Sequence, residues 1–141
     1  MTIKQLTIFV ENTTGRLGAL TRILAENGID LRAAVIAETN DFGILRCIVR
    51  DPEKARAILN QNGFTASVQD VLAVVIPDRA GAFDAVLQPL AAAGVAVKYI
   101  YSTVTSDDGE AVIVLKADQQ KMAEEILKAE GIALAGEDKL F

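Results

Sequence analysis

The stretch Val10-Glu11-Asn12-Thr13-Thr14-Gly15-Arg16-Leu17-Gly18-Ala19-Leu20 joins an alternating apolar run to a helical pattern through a polar, glycine-containing turn, and it occurs twice. The second copy is Ile76-Pro77-Asp78-Arg79-Ala80-Gly81-Ala82-Phe83-Asp84-Ala85-Val86. A shift of 66 residues lays Gly15 on Gly81, Leu17 on Phe83, Leu20 on Val86, Leu24 on Leu90, Gly28 on Gly94 and Gly43 on Gly109. Such a duplication restricts the chain to two copies of one supersecondary unit, placed here at 1–68 and 69–141. Each copy is short enough to be marginal alone, so the two are expected to pack together.

Within the first copy, Leu6, Ile8 and Val10 alternate with Gln5, Thr7 and Phe9, the period-two pattern of a strand with one face on a core. Leu17, Leu20, Ile23 and Leu24 then recur at helical spacing, and Gly28 followed by Ile29 is a left-handed helix stop. Ile29 to Glu38 and Ile44 to Val49 are joined by the turn Thr39 to Gly43 and read as a hairpin. Asp51 caps a second helix with Pro52 at its first position, Ala55, Ile58 and Leu59 line its inner face, and Asn62-Gly63 ends it. Phe64 to Ile76 supplies a fourth strand that closes the unit and must also serve as, or run directly into, the first strand of the second half.

The order is β-α-β-β-α-β, and the second copy follows it through Leu72 to Ile76, Ala82 to Ala93, Val95 to Thr105, Glu110 to Lys116, Asp118 to Lys128 and Ile132 to Ala135. Gly63 falls on Gly131 at a shift of 68, so about two residues are expected to be inserted in the last helix. Pro89 interrupts the third helix, where a bend or a late, tightened start is expected. Residues 137–141 read as a short tail, or as one whose Leu140 and Phe141 dock on a neighbour. The fold class is α+β: two ferredoxin-like units in tandem, each an antiparallel sheet with both helices on one face.

Charge and composition narrow the function. The net charge is -5, with 14 bases against 19 acids and no basic run, which argues against nucleic acid and anionic membranes. Cys47 is the single cysteine, no charged-then-apolar leader spans Met1 to Val10, and no long apolar run occurs, so a cytoplasmic chain without disulfides is expected. Histidine is absent, which removes the side chain most often used as general base and the commonest metal ligand. No metal, cofactor or catalytic residue is expected.

In the middle strands both alternating sets are apolar: Leu45, Cys47 and Val49 against Ile44 and Ile48, and Ala111, Ile113 and Leu115 against Val112 and Val114. A sheet with one bare face should alternate cleanly, so the uncovered face is expected to meet another sheet in a homodimer. Tyr99 and Tyr101 alternate with Val95 and Val97 and are assigned to the helix-facing side.

Gly15 and Gly81 each precede a helix whose first amides lack an internal partner, an end that attracts a carboxylate or a phosphate. Asn12 and Asp78 stand three residues earlier at the same mouth, either as caps of the turn or as ligand groups.

Glu11 to Leu17, followed by a helix ending at Gly28 and by Ile29-Asp30, resembles the signature of ACT domains, small βαββαβ modules that sense amino acids. The resemblance covers the chain as two ACT units, and Asp41 to Arg46 and Val95 to Tyr101 are similar to the stand-alone tandem-ACT proteins of prokaryotes. It implies a ligand held between the loop of one unit and the second strand of another. The implied residues are Asn12, Thr14, Gly15, Arg16 and Leu17 in the first loop, Asp78, Arg79, Gly81, Ala82 and Phe83 in the second, and Asp30 on the strand. In the second copy the strand position is Ala96, a departure from the polar pattern. A zwitterion suits these groups, its carboxylate on the helix-start amides and its ammonium on Asp78 and Asp30, which then belong to one site. The implied function is a regulatory sensor of an amino acid, not an enzyme, that passes its occupancy to a regulated enzyme or transporter. Two other readings stand beside it. One is an interaction module with empty paired units, which Ala96 favours. The other is an acyl-phosphate hydrolase on the same plan, with Asn12 and Arg16 or Arg79 handling phosphate.

Overall fold

The computed structural model describes residues 1–103 and 108–141. The elements run β1 (Ile3–Glu11), α1 (Arg16–Glu26), β2 (Leu31–Glu38), β3 (Phe42–Val49), α2 (Pro52–Gln61), β4 (Thr65–Pro77), α3 (Ala82–Ala92), β5 (Val97–Ser102), β6 (Glu110–Ala117), α4 (Gln120–Ala129) and β7 (Ala133–Ala135). The βαββαβ order thus occurs twice. The end of the strand expected up to Thr105 lies outside the described residues.

The chain divides into a unit of Lys4–Asp70 and a unit of Met1–Ile3 with Val71–Phe141. The division falls inside β4, a single strand of 13 residues whose first part lies beside β1 and whose second part pairs with β6 and β7. Strand order is β2-β3-β1-β4 in the first unit and β5-β6-β4-β7 in the second.

Each unit has its own core on one face of its sheet. In the first, Leu6, Ile8 and Val10 of β1 and Leu45, Cys47 and Val49 of β3 meet Leu20 and Leu24 of α1 and Ala55 and Leu59 of α2. In the second, Leu72, Val74 and Ile76 meet Ile113 and Leu115, with Val86 and Leu90 of α3 and Ala123 and Leu127 of α4 above them. The period-two and helical patterns of the sequence select these residues, and burying each large one contributes roughly 1.5–3 kcal/mol. Leu17, grouped with the inward stripe, is instead 40% exposed in the first turn of α1, as Phe83 is in α3 at 41%.

The strand registers locate the two extra residues of the second copy. Val10 faces Gly43 and Leu6 faces Cys47, whereas Ile76 faces Ala111 and Leu72 faces Leu115. The shift is therefore 66 up to β5 and already 68 in β6. The insertion lies in the β5–β6 connection and not in the last helix, since α2 and α4 both have 10 residues. Gly109 consequently corresponds to Asp41: its carbonyl accepts from the amide of Asp78 at 2.8 Å as that of Asp41 accepts from Asn12 at 3.1 Å. Gly43 lies instead in β3, where a Cβ would meet the Ile36 side chain at 3.3 Å.

A bulge falls at the same place in both units, between Leu31 and Ala33 and between Val97 and Tyr99. It corrects the assignment of the tyrosines. The extra residue, Lys98, reverses the alternation, so Val97 and Ile100 pack on the helix-side core. Tyr99 and Tyr101 face the other way, opposite Lys116 and Val114, with ring centroids 6.5 Å apart. Pro89 does not delay α3, which starts at Ala82 just as α1 starts at Arg16. Nor are the last residues a tail: a 3-10 turn at Glu137–Lys139 leads to Leu140, which is buried.

Much of the sheet face away from the helices is buried in the single chain. Ile48 is 1% exposed, Val112 7% and Val114 0%. Their apolar character therefore does not by itself call for a second copy.

Candidate functional site

The two strand-to-helix loops share one backbone. In the first, the amide of Thr13 donates to Glu11 at 2.8 Å and that of Arg16 to Thr13 at 3.2 Å; in the second, Arg79 donates to Pro77 at 2.9 Å and Ala82 to Arg79 at 3.3 Å. Gly15 (φ 84°) and Gly81 (φ 87°) occupy the left-handed region as the N-cap residues of α1 and α3. A glycine cap offers no side-chain acceptor, so the next amides in each helix, Leu17 and Gly18 or Phe83 and Asp84, have no side-chain cap. Helix α2 is built differently, with the Asp51 carboxylate accepting from the amide of Lys54 at 3.1 Å.

Asn12 and Asp78 do not cap these helices. Asn12 turns its amide to Glu38 at 3.4 Å, and Asp78 is exposed. Asp30 lies just ahead of β2, exposed, 3.5 Å from Arg32, and lines a cavity of about 210 Å3 with Gly28, Ile29, Arg50, Asp51 and Lys54. None of the first-loop residues Asn12, Thr14, Gly15, Arg16 or Leu17 lines that cavity. Asp30 and Asp78 belong to different units. Ala96, at the position equivalent to Asp30, has its backbone bridged by Asp118, whose carboxylate and amide pair with its amide and carbonyl, each at 3.0 Å.

The loops differ in their side chains, and the difference opens a cavity in one unit. Arg16, at the first position of α1, lies 3.8 Å over the Phe64 ring and donates to the carbonyl of Gly63 at 3.3 Å. The equivalents in the second unit are Ala82, Ile132 and Gly131. There the space holds a cavity of about 430 Å3, lined by Arg79, Gly81, Ala82, Val86, Gly131 and Ile132 among others. Of the second-loop residues expected to hold a ligand, Arg79, Gly81 and Ala82 line this cavity, and Asp78 and Phe83 do not. Gly131 and Ile132, which the sequence does not single out for a site, line it as well. The signal that could have found them is the pair of replacements Arg16 to Ala82 and Phe64 to Ile132 between otherwise matching repeats.

A family model described as the ACT domain pair matches residues 1–141. The chain belongs to the ACT domain pair family. The crystal structure of protein BT0572 from Bacteroides thetaiotaomicron is similar to this ACT pair at 41% identity and a TM-score of 0.88, over 96% of this chain and 92% of that one. The ligand-free regulatory subunit of aspartate kinase from Thermus thermophilus shares the fold at 14% identity and a TM-score of 0.63, over 90% and 91% of the two chains. The corresponding subunit from Thermus flavus does so at 14% and 0.59, over 90% and 91%. No curated protein sequence matches the ACT pair.

Proposed function

We propose that this ACT pair is a regulatory module that binds an amino acid and carries out no chemistry of its own. The observation that supports this most is the glycine-started, side-chain-uncapped beginning of α1 and α3. Such a helix end favours a carboxylate through its open amides and its positive dipole end. Asp78 at the second loop and Asp30 ahead of β2 are the exposed acids that take the ligand ammonium, as the family resemblance implies. The fold shared with regulatory subunits of aspartate kinase is in keeping with a role in controlling an enzyme, with a transporter as the other candidate for the regulated partner. Regulation then comes from a difference in ligand affinity between two arrangements of the protein.

A thermal-shift screen against the twenty amino acids, followed by calorimetry, tests the reading. Saturation at a hundred times the dissociation constant adds about 2.7 kcal/mol, a shift of several degrees for a chain of this size. Asp30→Ala is expected to weaken binding at least tenfold while leaving the melting temperature of the unliganded protein unchanged. Absence of a shift with every amino acid would reject the sensor role and favour an empty interaction module.

The homodimer remains part of this reading on different grounds. Phe9 and Phe42 are 50% and 40% exposed and lie against each other with centroids 5.6 Å apart, an aromatic pair that a second copy would cover.

A further inference from the structure

The two units carry the same loop and helix start, but among the described residues the space beside them is occupied differently. In the first unit the space between the start of α1 and the residue after Gly63 is filled by the chain itself. The Arg16 guanidinium covers the Phe64 ring at 3.8 Å and donates to the Gly63 carbonyl at 3.3 Å, and Phe64 is 4% exposed beneath it. The second unit places alanine and isoleucine at these two positions and moves its arginine three residues back, to Arg79. Alanine brings no donor to the Gly131 carbonyl. Ile132, smaller than phenylalanine, packs against the core and leaves the volume above it open.

We infer that the cavity of about 430 Å3 beside α3 binds a small aliphatic amino acid in the place that Arg16 and Phe64 fill in the first unit. The lining states the chemistry. Ala82, Ala85, Val86 and Ile132 offer an apolar wall for a branched side chain, and Arg79 is the one charged side chain among the lining residues and suits the carboxylate. The Gly131 carbonyl receives the ammonium, as the Gly63 carbonyl receives the Arg16 guanidinium. The two repeats are thus unequal: one is plugged and the other receptive. This assignment rests on the amino-acid-binding reading above but places the ligand within one unit, with the Gly131 carbonyl in place of Asp78 and Asp30 at the ammonium, and gives its class.

The test transplants the plug. The Ala82→Arg/Ile132→Phe variant rebuilds in the second unit the pair that the first unit already accommodates. L-valine, L-leucine and L-isoleucine are titrated into wild type and variant by calorimetry and thermal shift, with the corresponding 2-oxo acids as a second arm. Wild type is expected to bind at least one of the three amino acids with a shift of several degrees, and its 2-oxo acid at least tenfold more weakly, because the ammonium is missing. The variant should lose binding while keeping a native amide spectrum and an unliganded melting temperature no lower than wild type. Arg79→Ala, a surface change that does not threaten folding, should weaken binding at least tenfold. Binding that survives both changes would overturn the inference. Binding lost in Asp30→Ala but kept in Ala82→Arg/Ile132→Phe would leave the sensor reading standing and reject this cavity. No binding of these ligands, with another amino acid binding in the full screen, would reject the aliphatic assignment alone.

Discussion

Cys47 sits in the middle of β3, opposite Leu6 of β1, and is fully buried. Burial disfavours the thiolate and pushes the thiol up to about 12 from an ordinary 9.0. The native thiol is therefore expected to be inert to Ellman's reagent at pH 8 and to react once the chain is unfolded. The sign of the pH effect follows. Above pH 9.0 the unfolded chain ionises this thiol while the folded chain retains its proton until about 12, so the stabilisation is complete below 9.0 and is lost as pH rises through that window. Wild type should lose stability over pH 9.0–10.5 more steeply than Cys47→Ala in denaturant titrations; parallel curves would contradict the burial argument. Gly15 and Gly81 make a second case. A Cβ would meet nothing within 4 Å at either, so the obstacle to substitution is the backbone conformation and not space. Gly15→Ala and Gly81→Ala should each cost about 1–2 kcal/mol, the strain of a left-handed alanine, as read from equilibrium unfolding.

Helix α3 carries Pro89 in its interior, so the carbonyl of Ala85 loses its intrahelical donor. The flanking core residues Val86 and Leu90 are buried, and their packing maintains the helix over the full length from Ala82 to Ala92. Pro89→Ala is expected to restore the hydrogen bond and raise stability by about 1–3 kcal/mol, visible as a melting-point increase of several degrees. The bulges in β2 and β5 teach the opposite lesson about elements. Hydrophobic alternation predicts that Tyr99 and Tyr101 share a face with Val97, and a single extra residue, Lys98, cancels that prediction. The alternation carries no trace of the unpaired residue, because both faces of this region offer apolar partners. The insertion in the second copy was misplaced for a related reason. Gly43 and Gly109 match at a shift of 66 yet perform different tasks, one in a strand and one in a turn. Backbone pairing, and not residue identity, aligns the repeats.

At the scale of the whole chain, the exposed Phe9 and Phe42 are flanked by Glu11, Glu38 and Asp41, all exposed. A dimer through this patch brings like charges together, so light scattering is expected to show a dimer that tightens with added salt and that Phe9→Ser converts to monomer. A monomer at micromolar concentration in both low and high salt would exclude the patch as a self-association surface. The amino-acid sequence by itself determined the doubled βαββαβ order, the identity of the two cores and the ACT family, because a repeated pattern of glycine stops and apolar periods is written locally. It also marked the two loops, since an uncapped helix start after glycine is a property of adjacent residues. Only the tertiary structure decided that these loops are unequal. Arg16 and Phe64 are 48 residues apart, as near-matching Ala82 and Ile132 are 50 apart, and their meeting across a unit depends on the packing of helix against strand that no local pattern encodes.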